Sequence, residues 1–212
     1  MQGQEHYFSA RPATPEQQRQ LRVRLRGADV AVTSATGVFS AERLDLGTSV
    51  LLREAPDPPP LGTFLDLGCG WGPLTLALAM AAPQASVWAV DVNERAIALT
   101  CANAEANGLA GVRAVPPSEV PADIAFDVIW SNPPIRIGKE ALHALLMQWL
   151  PRLTPGGSAY LVVQRNLGAD SLHAWLAGTL GSSYAVERFA SAKGFRVLHV
   201  HRADETELAD PA

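Results

Sequence analysis

Residues 63–73 read Thr-Phe-Leu-Asp-Leu-Gly-Cys-Gly-Trp-Gly-Pro, and this segment constrains the fold more than any other. A short apolar strand runs into three glycines within five residues. Pro73 then stands at the first turn of a helix, where its fixed φ and missing N–H are tolerated. Glycines at such a turn allow backbone conformations closed to other residues and let a ligand approach the main chain. A strand followed by a helix reaches a parallel neighbour by crossover, and the sequence beyond supplies neighbours. Ser86 to Val90, Val112 to Val115, Phe126 to Trp130 and Ser158 to Val163 read as strands. Between and after them come helices from Gly72-Pro73 through Ala82, from Glu94 to Asn107 with Gly108 as C-cap, from Lys139 to Leu150, and from Ala169 to Leu180. Tyr184 to Ala190 and Phe195 to His201 form a final strand pair. The pattern predicts an α/β fold: a mostly parallel seven-stranded sheet, helices on both faces, and an antiparallel C-terminal edge. Ligands of such sheets bind at the carboxyl ends of the strands.

The first 55 residues read differently. Leu21-Arg-Val-Arg-Leu-Arg26 alternates apolar and basic residues, as a half-exposed strand does, and Ala31 to Ser34 and Val38-Phe39 read as two more short strands. Residues 1–55 are therefore expected to form a small N-terminal β cap. Asp57-Pro-Pro-Pro60 is a rigid linker, residues 61–203 form the main domain, and the acidic stretch 204–212 is a mobile tail.

Composition narrows the function. The net charge of −4 argues against a protein that grips nucleic acid by overall charge, since such binding rests on many contacts from lysine and arginine to phosphate. Net charge says nothing against a local basic patch, and of the 17 basic residues all but Lys139 and Lys193 are arginines. The longest apolar run, Leu74 to Ala82, stops at Pro83, well short of the roughly 20 residues a membrane span needs. The first residues show neither the basic stretch nor the apolar run of a signal peptide, so a cytoplasmic protein is expected. Two distant cysteines make neither a disulfide framework nor a zinc site. The histidines show no ligand spacing, so no metal is expected. Cys69 reads as a small residue of the glycine turn, and Cys101 as helix packing.

Two motifs carry chemistry. Asp66 precedes the glycines, and Asp91 closes the second strand of the main domain, about 20 residues on, where an acid is placed to bind ribose hydroxyls. Either a dinucleotide or S-adenosylmethionine would suit that pairing. The spacing Gly68-x-Gly70-x-Gly72 is not the phosphate-binding Gly-x-Gly-x-x-Gly pattern, which favours a nucleoside cofactor without a pyrophosphate. The second motif, Ser131-Asn-Pro-Pro-Ile135, leaves the fourth strand. Its prolines fix the backbone and remove two donors, so an amide side chain and a rigid carbonyl can accept from one exocyclic NH2.

Asp66 to Gly72, Asp91 and Asn132-Pro-Pro-Ile135 together resemble a class I S-adenosylmethionine-dependent methyltransferase, specifically the methyltransferase small domain of RsmC-like guanine-N2 methyltransferases of 16S rRNA. His6 to Ser9, Gly37 to Ser40, Leu44-Asp-Leu-Gly-Thr48, Asn107-Gly108, Asn132 to Lys139 and Lys193 to Leu198 fit the same pattern. The resemblance implies a Rossmann-like fold, S-adenosyl-L-methionine as cofactor, and ribosomal RNA or the small ribosomal subunit as partner. It also implies roles. Asp66, Gly68, Cys69 and Gly70 line the methionine end of the cofactor, and Gly47 and Thr48 close over it. Asp91 binds the ribose, with Asn93 nearby; Ser118 and Glu119 approach the adenine. Asn132 and the Pro133 carbonyl, with Pro134 and Ile135, hold the target amine, and Asn132 also borders the cofactor.

Family members acting on ribosomal guanine often carry Phe after the two prolines, where this chain has Ile135. RsmC enzymes also carry a second, degenerate domain on the N-terminal side, where this chain has a cap. Arg136 and Lys139, with Arg165, Arg22, Arg24 and Arg26, are the candidate basic rim for RNA. Other readings are a protein glutamine methyltransferase of the release-factor type, whose usual Tyr after Asn-Pro-Pro is missing, a nicotinamide-dependent oxidoreductase, and a non-catalytic binding module.

Overall fold

The computed structural model describes residues 12–204. His6, Tyr7 and the acidic stretch beyond Asp204 lie outside the described residues.

In chain order the elements are β1 (Gln18–Leu25), β2 (Ala28–Ala35), α1 (Leu46–Glu54), β3 (Thr63–Leu67), α2 (Pro73–Ala81), β4 (Ser86–Val90), α3 (Glu94–Ala106), β5 (Val112–Val115), β6 (Phe126–Ser131), α4 (Lys139–Trp149), β7 (Leu153–Gln164), α5 (Ala169–Thr179), β8 (Tyr184–Ala192) and β9 (Phe195–Arg202). β1 and β2 form a separate antiparallel hairpin. The other strands form one seven-stranded sheet in the order β5-β4-β3-β6-β7-β9-β8. β5 through β7 are parallel; β9 runs antiparallel to both β7 and β8, giving the antiparallel pair at that edge.

Alternation along the strands divides the core. Phe64, Val87, Val128, Trp130, Tyr160 and Val162 face α1, α2, α3 and the hairpin. Leu65, Leu67, Ile129, Leu161 and Val163 face α4 and α5. Strands buried on both faces read as continuous apolar runs, which is why β3, β4 and β6 were legible without an alternating pattern. The first apolar cluster runs from Leu25, Val30 and Val32 of the hairpin to Phe64 and Leu76 without a break.

Three expectations change. Val38-Phe39 is not a strand. Gly37 and Ser40 both take positive φ, 77° and 53°, so the chain turns twice within four residues. Residues 46–54, expected within the β cap, form helix α1, which packs against β7 and β9 of the main sheet. Gly47, Thr48, Ser49 and Val50 are poor helix formers, and tertiary contact overrides that local preference. Cys101, expected as helix packing, lies exposed on α3.

Candidate active site

The turn from β3 to α2 spends its own amides. Gly68 N and Cys69 N both donate to Val90 O, at 2.8 and 3.1 Å, and Gly70 N donates to Asp91 Oδ2 at 3.0 Å. A loop that cradles a pyrophosphate must offer its N–H groups to the ligand. Here all three are engaged, so this turn is not a phosphate cradle, which counts against a nicotinamide dinucleotide. Gly68 and Gly70 take φ of 83° and 57°, and a Cβ built on either meets nothing within 4 Å. The backbone therefore lies open to a ligand on that side.

Asp66 is fully buried beneath this turn, not on the wall of the cleft above it. Its Oδ2 accepts from Thr75 N at 2.9 Å and from Thr75 Oγ1 at 2.6 Å. It thereby caps α2, whose own N-cap, Gly72, has no side chain. Asp66 Oδ1 is buried without a partner among the described residues. Burial pushes the carboxyl pKa up to about 7, against the opposing hydrogen bonds from Thr75, and Asp91 adds a smaller push in the same direction. Burial likewise raises Asp91 above the usual carboxylate range, opposed by amides of Asn93, Gly70 and Val92. The Cys69 thiol is pushed up by burial, then by Asp91 and Asp66. A thiol so placed is a poor nucleophile, in keeping with a small residue of the turn.

A narrow cleft opens above the turn, bounded by Phe39, Ser40, Asp45, Thr48, Gly68, Cys69, Gly70, Trp71 and Asn132 among others. Asn132 follows β6 and faces it from the carboxyl edge. Its Nδ2 donates to Asp45 Oδ2 at 2.9 Å and to Thr48 Oγ1 at 3.1 Å. Pro134, at φ −74° and ψ 78°, centres a tight turn in which Ile135 N donates to Pro133 O at 2.8 Å. One lone pair of the Pro133 carbonyl is thus taken and one remains. Ile135 turns toward the apolar cluster beneath α4.

Other candidates are placed as follows. Gly47 opens α1 beside Asp45, where a Cβ would lie 2.9 Å from Asp45 Oδ2 and 2.9 Å from Phe195 Cε1. Asn93 is buried: Oδ1 caps α3 and Nδ2 donates to Gly37 O at 2.8 Å. Its visible work is to tie the 36–40 turn to the main sheet. Ser118 and Glu119 are exposed in a short 3-10 turn after β5. Arg136 and Lys139 are exposed just beyond Asn132, and Arg165 is exposed beyond β7. Arg22 and Arg24 are exposed on β1. Arg26 is not with them. It donates to Leu52 O and Ala55 O, pairs with Asp57, and lies over the Trp130 ring. It stands at the hairpin turn with a φ of 47°.

Among the cleft residues to which the sequence assigned no site role are Phe39 and Asp45. Phe39 is 46% exposed at the cleft mouth, on a turn held by Asn93, by Arg95 to Thr36 O, and by Trp71 Nε1 to Ser40 O at 3.2 Å. An aromatic standing exposed beside an open cleft can offer its ring to a planar ligand. Asp45 could have been found: an Asp three residues before Thr48, ahead of Val50-Leu-Leu, is a helix-start signature. A larger cavity of about 410 Å³, bounded by Pro58, Trp130, Thr154 and Tyr160, lies beside the linker and away from both motifs.

The sequence profile of the methyltransferase small domain matches residues 29–199. The uncharacterized protein YbxB of Bacillus subtilis is 37% identical over 79% of this chain and 85% of its own length. Ribosomal RNA small subunit methyltransferase C of Pseudomonas entomophila is 35% identical over 84% of this chain and 53% of its own length. The chain thus spans about half of that relative. Among solved structures, the T. thermophilus 16S rRNA N2 methyltransferase RsmC, in complex with AdoMet and guanosine, superposes with a TM-score of 0.74 at 27% identity, over 89% of this chain and 51% of the other. With the profile matched across most of the described residues, the chain belongs to the methyltransferase small domain family.

Proposed function

We propose that this chain transfers a methyl group from S-adenosylmethionine to an exocyclic amine of an RNA base, guanine N2 of 16S rRNA, on the RNA or the small ribosomal subunit, in the cytoplasm. The carrying observation is Asn132 at the cleft, its Nδ2 engaged and its Oδ1 without a hydrogen bond among the described residues. RsmC relatives with named activity support the choice of base and RNA.

The residues present fit the cofactor. Gly68 and Gly70 leave the turn open where a Cβ would stand. Asp66 Oδ1, buried without a partner among the described residues, leaves an uncommitted acceptor beneath it, and above about pH 7 a charge suited to a cationic amino acid end. Asp91 follows β4, its Oδ2 accepting from Gly70 N and its Oδ1 from Asn93 N, and a carboxylate has lone pairs beyond these for a ribose hydroxyl. Thr48 lines the other wall, and Ser118 and Glu119, in the turn after β5, are the residues offered to the adenine. When bound, the group supplies a methyl activated on a sulfonium.

The chain's own part is alignment. The lone pair of an aryl amine is delocalised into the ring. Asn132 Oδ1 and the remaining lone pair of Pro133 O, both accepting from one NH2, favour a tetrahedral nitrogen and localise that pair. Ile135 packs, half-buried, against the apolar cluster beneath α4, and Phe39 is an exposed aromatic at the cleft mouth on which a base can stack. A base held in a helix must be splayed out to reach it.

Nucleoside mass spectrometry of 16S rRNA from cells with and without the gene tests this reading. One N2-methylguanosine should vanish on deletion and return with the wild-type gene but not with Asn132→Ala. An unchanged profile, or full rescue by Asn132→Ala, refutes it.

A further inference from the structure

We infer that Asp45 is the positioning residue that selects which end of the Asn132 amide faces the substrate. The inference rests on the proposed role of Asn132 Oδ1 as acceptor. It concerns how a residue of the N-terminal segment, 87 positions away in sequence, sets that role.

An asparagine amide is nearly symmetric in shape but opposite in polarity at its two ends, so packing alone holds either flip. In one flip Oδ1 faces the target NH2 and accepts from it. In the other, two donors meet two donors. Thr48 Oγ1, 3.1 Å from Asn132 Nδ2, does not choose, because a hydroxyl both donates and accepts. Asp45 does. Its Oδ2 also accepts from Thr48 N, which presents it as an acceptor, so the end of the amide facing Asp45 Oδ2 at 2.9 Å is the NH2. Oδ1 is thereby turned to the other side.

The local structure explains how the carboxylate reaches both places. Asp45 is extended, at φ −62° and ψ 147°, as the N-cap of α1, and the same Oδ2 accepts from Thr48 N at 3.0 Å. The helix start thus fixes the carboxylate, and the carboxylate fixes the amide. Gly47 is part of the device, because a Cβ there would lie 2.9 Å from Asp45 Oδ2. The prolines after Asn132 stiffen its backbone but exert no preference between the two flips. Helix α1 therefore acts on the chemistry from the opposite wall of the cleft.

Three variants separate the possibilities. Serine caps a helix as well as aspartate does but is too short to hold both Thr48 N and Asn132. Asp45→Ser should keep the unfolding midpoint and lower kcat about tenfold, the loss expected when a charge-assisted hydrogen bond no longer holds one rotamer. The KM for S-adenosylmethionine should stay within about twofold. Asp45→Asn keeps a carbonyl oxygen for both contacts and should restore kcat to within about threefold of wild type. Asn132→Ala is the control for the parent reading. The assay is transfer of labelled methyl to 16S rRNA from cells lacking the gene. In parallel, the side-chain amide resonances of Asn132, assigned against Asn132→Ala in 15N-labelled protein, should be distinct in wild type and Asp45→Asn, and collapse toward free-amide values in Asp45→Ser. That readout needs no substrate. Unchanged Asn132 resonances with wild-type kcat in Asp45→Ser overturn the inference and leave Asp45 a helix cap. A raised KM with unchanged kcat also overturns it, by making Asp45 a cofactor ligand. Turnover by Asn132→Ala refutes the parent reading, while the resonances still decide whether Asp45 holds the amide.

Discussion

Replacing Asp66 by asparagine should make the protein more stable above neutral pH and less stable in acid. The carboxyl is fully buried, and its pKa rises from 3.8 to about 7. At about 1.4 kcal/mol per unit, a shift of about three units corresponds to about 4 kcal/mol. The sign follows from proton counting. Between about pH 4 and 7 the unfolded chain has lost the Asp66 proton and the folded protein keeps it. The contribution of Asp66 to stability is therefore fullest below about pH 4, falls through this window, and levels off above the folded pKa. In Asp66→Asn the carbonyl oxygen takes over the two bonds from Thr75. The new NH2 stands where Oδ1 was buried without a partner, which costs about 1–3 kcal/mol. The variant should then be about 1–3 kcal/mol less stable at pH 4 and more stable by a similar margin at pH 8. For a chain of this size each kcal/mol moves the thermal midpoint by about 2–4 °C. Urea unfolding followed by circular dichroism from pH 4 to 8.5 reads this directly, and the two stability curves should cross between about pH 5 and 6.5. Asp91 is also raised by burial and adds slope to both proteins, so the difference between the curves is the quantity to fit. Parallel curves would refute the reasoning, for the buried carboxylate would then not titrate above its unfolded value. At pH 8 the same variant should bind S-adenosylmethionine more weakly, so that stability and affinity move in opposite directions.

Asp91→Ala should raise the Kd for S-adenosylmethionine at least tenfold by calorimetry, while Asn132→Ala leaves it within about threefold and abolishes transfer; equal affinity losses would contradict the assigned roles. Asp91→Ala should also lower the thermal midpoint, because Gly70 N and Asn93 N lose their acceptor. Phe39→Ala should weaken productive RNA binding by about 1–3 kcal/mol, the usual worth of one base–aromatic stack, with Phe39→Tyr near wild type; an unchanged KM for RNA would exclude Phe39 from the base site. Arg136→Ala and Lys139→Ala should each lower the steepness of the salt dependence of RNA binding by about one, whereas Arg26→Ala should leave that slope unchanged and destabilise the fold, since Arg26 straps Leu52 and Ala55 to the hairpin turn.

Sequence alone determined what depends on neighbours along the chain. The alternation of β3 to α5 was legible because strands buried on both faces read as apolar runs and helices carry caps and a repeat of their own. Both motifs were legible for the same reason: Gly68 to Gly72 and Asn132 to Ile135 are contiguous, and each sits just after a strand. Only the tertiary structure decided where those groups point. It seals Asp66 beneath the glycine turn, spends Asn93 on Gly37, packs Ile135 half-buried beneath α4 and leaves Phe39 at the cleft mouth. Helix α1 escaped the sequence because its weak local propensity is outweighed by packing on β7 and β9. Asp45 escaped as a site residue because its partner, Asn132, lies 87 positions away. A hydrogen bond of that span belongs to no periodicity, and it exists only once the sheet has brought both walls of the cleft together.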